Sequence, residues 1–147
     1  MTSVLVTGAG RGIGLAITRH LSERGWDVYA TARSTGDLRD LANLRNVHAI
    51  ALDITDRAAV ARLHEQLPSQ LDGVVNNAGI LRDAIFHKMS VADFELVIKV
   101  HLLGSFYVSH AAARLFRDQV WLTSTLRDEM CEAHRDRRGE VAEVANR

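Results

Sequence analysis

Val4-Leu5-Val6-Thr7-Gly8-Ala9-Gly10-Arg11-Gly12-Ile13-Gly14-Leu15, close to the start of the chain, decides its fold. The apolar run over residues 2–7 predicts a buried parallel strand, and a glycine-dense turn then leads into a helix. Glycine suits such a turn because it adopts positive φ angles and lets the backbone approach a pyrophosphate. The N–H groups at the helix start would face that anion. The stretch therefore predicts a dinucleotide phosphate site.

The segments that follow alternate between helical and strand patterns. Helical spacing of apolar residues runs from Gly12 to a stop at Gly25, and a second strand covers residues 26–32. A short helix, a third strand at 47–52, a helix capped by Thr55 or Asp56 and a fourth strand at 71–75 come next. This alternation predicts an α/β fold with a doubly wound, Rossmann-like parallel sheet, truncated after about four or five strands.

The later part of the chain gives a weaker pattern. A long helix is predicted from Ser90, where Ser90 and Asp93 resemble a capping box. Residues 120–123 form either a short fifth strand or a continuation of that helix. Residues 126–147 are rich in both charges and predict a charged C-terminal surface helix. We therefore expect a dinucleotide-binding domain at 1–125, followed by this tail.

Composition limits the classes of partner. The chain of 147 residues carries 18 basic and 18 acidic side chains, so neither a nucleic acid nor a membrane surface is expected as a partner. No apolar run approaches the roughly 20 residues of a membrane span, and no signal peptide pattern is present. Cys131 is the only cysteine, which fits a reducing compartment, so a cytoplasmic location is expected. The histidines lack metal-ligand spacing, so no metal is expected.

Two motifs together resemble the short-chain dehydrogenase/reductase family. They are the glycine motif at residues 7–14 and Asn76-Asn77-Ala78-Gly79, each after a predicted strand and with Asp53 between them. Residues 76–113 are especially similar to the 3-hydroxyacyl-CoA dehydrogenase and 3-oxoacyl reductase branch. The resemblance covers roughly residues 2–117 and implies a Rossmann-like fold that binds a nicotinamide dinucleotide.

The resemblance also implies cofactor-binding roles for residues of three segments. Those of the glycine turn would line the pyrophosphate and the nicotinamide ribose. Asp53 would accept a hydrogen bond from the adenine amino group, with Ile54 behind it, and the third segment would line the ribose side. These residues are Gly8, Arg11, Gly12, Ile13, Gly14, Asp53, Ile54, Asn77, Ala78 and Gly79.

Arg33 decides the type of cofactor. A NAD-selective site has an acid at the end of the second strand to accept the ribose hydroxyls, whereas a 2′-phosphate needs a nearby arginine. Here that strand runs into Arg33 and Ser34, and a guanidinium is a fork-shaped donor suited to phosphate. With Arg11 as a second positive charge, NADP(H) is expected over NAD(H) by at least tenfold, on the order of 1.4 kcal/mol. The competing interpretation is that both arginines are solvated surface residues.

The catalytic residues that the resemblance implies are mostly absent from the sequence. Family members use a Ser-Tyr-Lys set, in which the tyrosine donates a proton and the lysine lowers the tyrosine pKa. The serine position falls on Ser124 or Thr125, and the tyrosine position then falls near Arg137 or Arg138. No Tyr-x-x-x-Lys occurs, since the only tyrosines and lysines are Tyr29, Tyr107, Lys88 and Lys99.

His101 is a further departure from the family pattern. It stands in the long helix where the family usually has asparagine, a substitution associated with the hydroxyacyl-CoA branch. Two interpretations stay open for this residue: a part in proton relay, or an ordinary packed or solvent-facing histidine.

These observations predict the cofactor half of an NADP-dependent oxidoreductase, impaired or inactive in hydride transfer. A small carbonyl or alcohol substrate is expected only for a completed relative. The alternatives are a non-catalytic nucleotide-binding or interaction module, and another nucleotide binder on the same fold, such as a methyltransferase. Truncation, a shifted reading frame or a natural short form would each explain why the resemblance fades near Gln119. The open side of the sheet would expose apolar surface, so a homo-oligomer is expected.

Overall fold

The computed structural model describes residues 2–119 of the chain. Four strands form one sheet, in which every neighbouring pair is parallel and the order is β3-β2-β1-β4. The strands are β1 (Ser3–Val6), β2 (Asp27–Ala32), β3 (Val47–Ala51) and β4 (Gly73–Val75). Within residues 2–104, four α-helices alternate with or follow them: α1 (Gly12–Glu23), α2 (Thr35–Ala42), α3 (Arg57–Arg62) and α4 (Val91–Ile98).

The strand order confirms the predicted α/β, Rossmann-like sheet. The chain runs outward from β1 through β2 to β3 and then returns to place β4 on the other side of β1. This reversal creates a topological switch point at the carboxyl ends of β1 and β4, where open α/β sheets bind their ligands. The fold therefore positions the glycine turn, which follows β1, at the ligand-binding edge.

The first strand is buried along its whole length, as a parallel strand covered on both faces should be. One face of the sheet carries Val4, Val6, Val28 and Ala30, all of them buried. Residues from α1 and α2 pack against this face: Leu15, Ile17, Leu21, Leu38 and Leu41. The rigid support of the glycine turn comes from this core.

Three of the four helices begin at a side chain that caps the first turn. Ser34 accepts a hydrogen bond from the backbone of Asp37, and Asp56 is the residue that caps α3. The capping interaction predicted at Ser90 is confirmed, because its hydroxyl accepts from the Asp93 backbone N–H at 3.0 Å. The same hydroxyl also donates to the Asp93 carboxylate at 2.7 Å.

Two helices differ from the sequence-based expectation. Apolar spacing through Leu67, with Pro68 after it, predicts that the helix capped by Asp56 ends at Leu67. The segment is α-helical only as far as Arg62 and then tightens into a 3₁₀ turn over Leu63–Gln66. The long helix after Ser90 changes to π-helical geometry over Lys99–Gly104. Apolar periodicity cannot predict this π-helical turn, because the turn changes the pattern of backbone hydrogen bonds and not the residue types.

Helical geometry resumes at residue 105 and continues to residue 115. The chain divides into two compact units, Met1–Leu115 and Phe116–Arg147, and the fold described above is that of the first. In the second unit, residues 116–119 are helical. The alternatives for residues 120–123, the position of Ser124 and the charged tail at 126–147 lie outside the described residues. Within residues 2–119, no helix is long and apolar enough to cross a membrane.

Candidate functional site

A cleft of about 420 Å³ opens at the carboxyl ends of the strands. Its walls come from the glycine turn after β1, the segments after β2 and β3, and the loop after β4. Of the residues predicted to bind a cofactor, the cleft is lined by Gly8, Arg11, Ile13, Arg33, Ser34, Asp53, Ile54, Asn77, Ala78 and Gly79. Gly12 and Gly14 do not line it. The structure thus brings four separate segments of the sequence together around one cavity.

The glycine turn packs directly on the loop after β4. Gly8 has a φ of 65°, and a Cβ placed on it would lie 2.7 Å from the Cα of Ala78. A Cβ on Gly14 would overlap both the Gly8 carbonyl oxygen and the side-chain amide of Asn77. Gly14 therefore permits close packing behind the cleft. This position explains why Gly14 does not line the cleft.

Hydrogen bonds lock the same two segments together. The Asn77 Nδ2 atom donates to the carbonyl oxygens of Thr7 and Gly8 at 3.0 and 3.1 Å. In return, the Thr7 hydroxyl accepts from the backbone N–H groups of Asn77 and Ala78, both at 3.1 Å. The glycine motif and the Asn-Asn-Ala-Gly motif are therefore one structural unit, although about 70 residues separate them in sequence.

Helix α1 starts differently from α2, α3 and α4. Its N-cap residue is Arg11, which makes no side-chain cap hydrogen bond, and its first turn contains no acid. Gly12 has a φ of 57°, and nothing lies within 4 Å of a Cβ placed on it. The N–H groups of this first turn are thus left for an external acceptor, which is the arrangement that binds phosphate. The residues present fit the pyrophosphate of a dinucleotide.

Arg33 and Asp53 lie beside each other at the rim of the cleft. Their closest atoms, Nη1 and Oδ2, are 3.9 Å apart, and the side chains are 61% and 44% exposed. An ion pair this exposed is weak. The Arg33 guanidinium therefore remains available to a phosphate group.

Asp53 is held as an ionised acceptor. Both the backbone N–H and the hydroxyl of Thr55 donate to its Oδ1 atom at 2.8 Å. Burial alone would raise the pKa of this carboxyl group, but the Thr55 hydrogen bonds and the charges of Arg33 and Lys99 together lower the pKa below its usual range. At neutral pH the group can accept a hydrogen bond from an amino group.

His101 contacts the loop after β4, which forms one wall of the cleft. Its Nε2 atom lies 3.1 Å from the Ile80 nitrogen and 2.7 Å from the Ile80 carbonyl oxygen. A Cβ placed on Gly79 would lie 2.8 Å from the imidazole Cε1. The imidazole therefore extends from the π-helical segment and packs on this loop. Short π-helical segments are frequent at functional sites. Its part in proton relay stays a prediction.

The described tyrosines and lysines do not line the cleft. Tyr29 stacks on His48 with ring centroids 4.6 Å apart. Burial, and then the Asp27 carboxylate, raise the pKa of Tyr29, whereas a proton-donating tyrosine next to lysine needs a lowered pKa. Ser124, the predicted catalytic serine, lies outside the described residues. Within residues 2–119, no group of three or more His, Cys, Asp or Glu side chains could hold a metal ion.

Seven residues that line the cleft were not predicted from the sequence as cofactor-binding residues. They are Gly10, Thr31, Ala32, Asp37, Leu52, Ile80 and Val100. For Asp37 the signal was present, because it follows the N-cap Ser34 by three residues in the first turn of α2. For Val100 no sequence signal existed, since its position depends on how the helix after the loop packs.

Comparisons with known proteins agree with this fold. A family model described as short chain dehydrogenase matches residues 2–121. The chain is 36% identical over 126 residues to the 3-oxoacyl-[acyl-carrier-protein] reductase FabG of Aquifex aeolicus (strain VF5), covering 80% of this chain and 51% of that protein. It is 38% identical over 115 residues to the 3-oxoacyl-[acyl-carrier-protein] reductase MabA of Mycobacterium tuberculosis (strain ATCC 25618 / H37Rv), covering 76% and 44%.

Solved structures show the same similarity. The closed form of serine dehydrogenase complexed with NADP+ matches with a TM-score of 0.75 and 35% identity, covering 80% of this chain and 50% of that chain. Serine dehydrogenase from Escherichia coli also matches with a TM-score of 0.75 and 35% identity, covering 80% and 57%. The chain spans about half the length of the curated relatives it matches. With this fold, this cleft and a family match over residues 2–121, the chain belongs to the short chain dehydrogenase family.

Proposed function

We propose that the chain binds NADP(H) in the cleft, as the cofactor-binding part of an oxidoreductase. The uncapped start of α1 carries this proposal, because its free N–H groups adjoin a cleft that Arg11 and Arg33 also line. Relatives support it as well, since one similar solved structure is described as complexed with NADP+. We place this activity in the cytoplasm, in line with the single cysteine of the sequence.

Each wall of the cleft has a part in this proposal. The first turn of α1 holds the pyrophosphate through its backbone N–H groups. Arg33 and Ser34 bind the 2′-phosphate, and the Asp53 carboxylate accepts a hydrogen bond from the adenine amino group. Residues 77–79 line the ribose on the nicotinamide side. When bound, NADP(H) supplies or accepts a hydride, and the protein holds it against the substrate.

Hydride transfer by this chain alone should be weak. The sequence contains no Tyr-x-x-x-Lys, so it lacks the family's proton donor and the lysine beside it. The names of the relatives favour a carbonyl or alcohol substrate, such as a 3-oxoacyl thioester, for the complete machinery. We therefore propose that the chain binds its cofactor better than it catalyses.

A non-catalytic interaction module is the second candidate. Several large apolar side chains in the cleft loop, in α4 and in the π-helical segment are exposed, with Leu81 at 75%, Val91 at 72% and Leu102 at 62%. Apolar surface of this kind marks an interaction site in soluble proteins. Under this alternative the bound nucleotide stabilises a surface that contacts another protein or a second copy of the chain.

Binding measurements test the proposed function. NADPH and NADH are titrated by calorimetry into the wild type, Arg33→Ala and the control Arg39→Ala, an exposed arginine of α2 that does not line the cleft. We expect the wild type and the control to bind NADPH at least tenfold more tightly than NADH, a difference on the order of 1.4 kcal/mol. Arg33→Ala should lose that preference. Equal dissociation constants in the wild type would contradict the proposal.

Turnover separates the two candidates. NADPH oxidation is followed with ketones and 3-oxoacyl thioesters for the wild type and for the double variant Arg11→Ala/Arg33→Ala. A slow rate that disappears in the double variant supports the oxidoreductase. Cofactor binding without any rate, or with a rate that survives in the double variant, supports the interaction module.

A further inference from the structure

Two carboxylates line the cleft, and only one of them has a role so far. Asp53 is held by Thr55 and lies beside Arg33, whereas Asp37 stands in the first turn of α2. The backbone N–H of Asp37 donates to the Ser34 hydroxyl at 3.1 Å. This bond ties Asp37 to the wall that Arg33 and Ser34 form.

The Asp37 side chain lies on the glycine turn. A Cβ placed on Gly10 would come within 2.6 Å of the Asp37 Cβ and Cγ atoms. Because residue 10 has no side chain, the Asp37 carboxyl group can pack against the glycine turn. Asp37 is half-buried there, between the turn that we assign to the pyrophosphate and the segment that we assign to the 2′-phosphate.

The charge of Asp37 is not neutralised by a neighbour. In the part of the chain that the structure describes, no basic side chain lies within ion-pair distance of it, while Arg33 is directed toward Asp53 at 3.9 Å. A carboxylate in this position repels a second anion and accepts a hydrogen bond from a hydroxyl group. NAD-selective sites use an acid near the ribose for these two purposes.

We propose that Asp37 is a specificity-determining residue that opposes Arg33, and this inference rests on the proposed function. Arg33 attracts the 2′-phosphate of NADP(H), while the Asp37 carboxylate repels it and favours the unphosphorylated ribose of NAD(H). The preference for NADP(H) is therefore smaller than Arg33 alone would give. A purely local role, in which Asp37 only stabilises the N-terminus of α2, predicts no effect on this preference.

The test compares variants with matched changes of charge. NADPH and NADH are titrated into the wild type, Asp37→Asn and Asp40→Asn; Asp40 is an exposed residue of the same helix that does not line the cleft. We expect Asp37→Asn to bind NADPH roughly three- to tenfold more tightly without gaining affinity for NADH. The gain should shrink as salt is added, because added ions screen the repulsion. Asp40→Asn should keep the wild-type ratio.

Asp37→Glu serves as the second variant, since it keeps the charge while it alters the helix start. It should retain a preference close to that of the wild type, whatever it does to thermal stability. Adenosine 2′,5′-bisphosphate and adenosine 5′-monophosphate repeat the comparison without the nicotinamide half. If both cofactors bind and Asp37→Asn keeps the ratio of Asp40→Asn, the inference is overturned and the proposed function stands. If neither cofactor binds to any of these proteins, the proposed function fails and the inference fails with it.

Discussion

The Nε2 atom of His101 lies 2.7 Å from the carbonyl oxygen of Ile80, so one imidazole joins the π-helical segment to the loop after β4. The shorter of its two contacts with Ile80 fits an Nε2–H group that donates to this carbonyl. Ile80 follows directly after the motif that packs on the glycine turn. His101 is therefore placed to position the loop after β4, at a distance from the first turn of α1 that we assign to the pyrophosphate.

Replacing His101 should loosen that loop. We expect His101→Ala to lower the free energy of unfolding by about 1 kcal/mol, the usual net value of one hydrogen bond, and to weaken NADPH binding several-fold. His101→Asn should recover part of both losses, because an amide also offers a donor and an acceptor. Chemical denaturation and calorimetry measure the two effects.

The control is His110→Ala, which removes an exposed imidazole that stacks on Phe106 farther along the chain. If His101→Ala matched His110→Ala in both stability and NADPH affinity, His101 would have no positioning role.

Gly14 and Gly36 form a second matched pair. Gly14→Ala drives a methyl group into the Gly8 carbonyl oxygen and the Asn77 amide, so it should destabilise the fold by about 2 kcal/mol or more and abolish cofactor binding. Gly36 is exposed in the first turn of α2, and its Cβ position is 3.7 Å from the nearest atom. Gly36→Ala should instead stabilise by about 0.5 kcal/mol, because alanine favours a helix. Thermal unfolding of both variants decides this, and equal destabilisation would contradict the packing argument.

The packing of the glycine turn on residues 77–79 could be predicted from the sequence, because it depends on particular residue types. Only glycine serves at positions 8 and 14, where positive φ or close packing leaves no room for a side chain. The amide of Asn77 is required by the two carbonyl groups it faces. Such requirements leave a recognisable pattern even without any knowledge of the tertiary fold.

The features that escaped prediction depend on packing. The π-helical turn at Lys99–Gly104 lets Gly104 approach Ile54, where a Cβ would lie 2.6 Å from the Ile54 Cδ1 atom. A glycine inside a helical pattern indicates a close contact, but neither the partner of Gly104 nor the change of helix type follows from apolar periodicity. In the same way, the contact between Asp37 and Gly10 exists only once α2 packs beside the glycine turn.

Asp53 gives a prediction about pH. Its pKa is lower in the folded protein than in the unfolded chain, so ionised Asp53 stabilises the fold at neutral pH and the contribution is lost as the pH falls through the folded pKa. Asp53→Asn should cost about 0.5–1 kcal/mol at pH 7, a small value because the side chain is 44% exposed. Urea unfolding should show a nearly constant difference from wild type between pH 7 and about pH 5, because the group is ionised in both states there, and a difference that shrinks as the pH is lowered below about 4. The control is the exposed Asp83→Asn; a pH-independent difference for Asp53→Asn would contradict the linkage.

Asn77 and the adjacent Asn76 allow the sharpest test of the link between the two motifs. Asn77→Asp replaces a donor by a carboxylate that faces the carbonyl oxygens of Thr7 and Gly8 at about 3 Å, so two favourable contacts become repulsive. Asn76 instead donates to the Ser109 hydroxyl at 2.9 Å. That hydroxyl can rotate and donate to a new carboxylate, so Asn76→Asp keeps its hydrogen bond.

We therefore expect Asn77→Asp to lower the free energy of unfolding by about 2 kcal/mol or more, whereas Asn76→Asp should change it by less than about 0.5 kcal/mol. Both substitutions add the same charge at neighbouring positions, so a general effect of net charge cancels in the comparison. Chemical denaturation at pH 7 measures the difference, and NADPH titration should show that only Asn77→Asp loses binding. Equal stability of the two variants would mean that the amide of Asn77 does not hold the glycine turn, and the two motifs would then act independently.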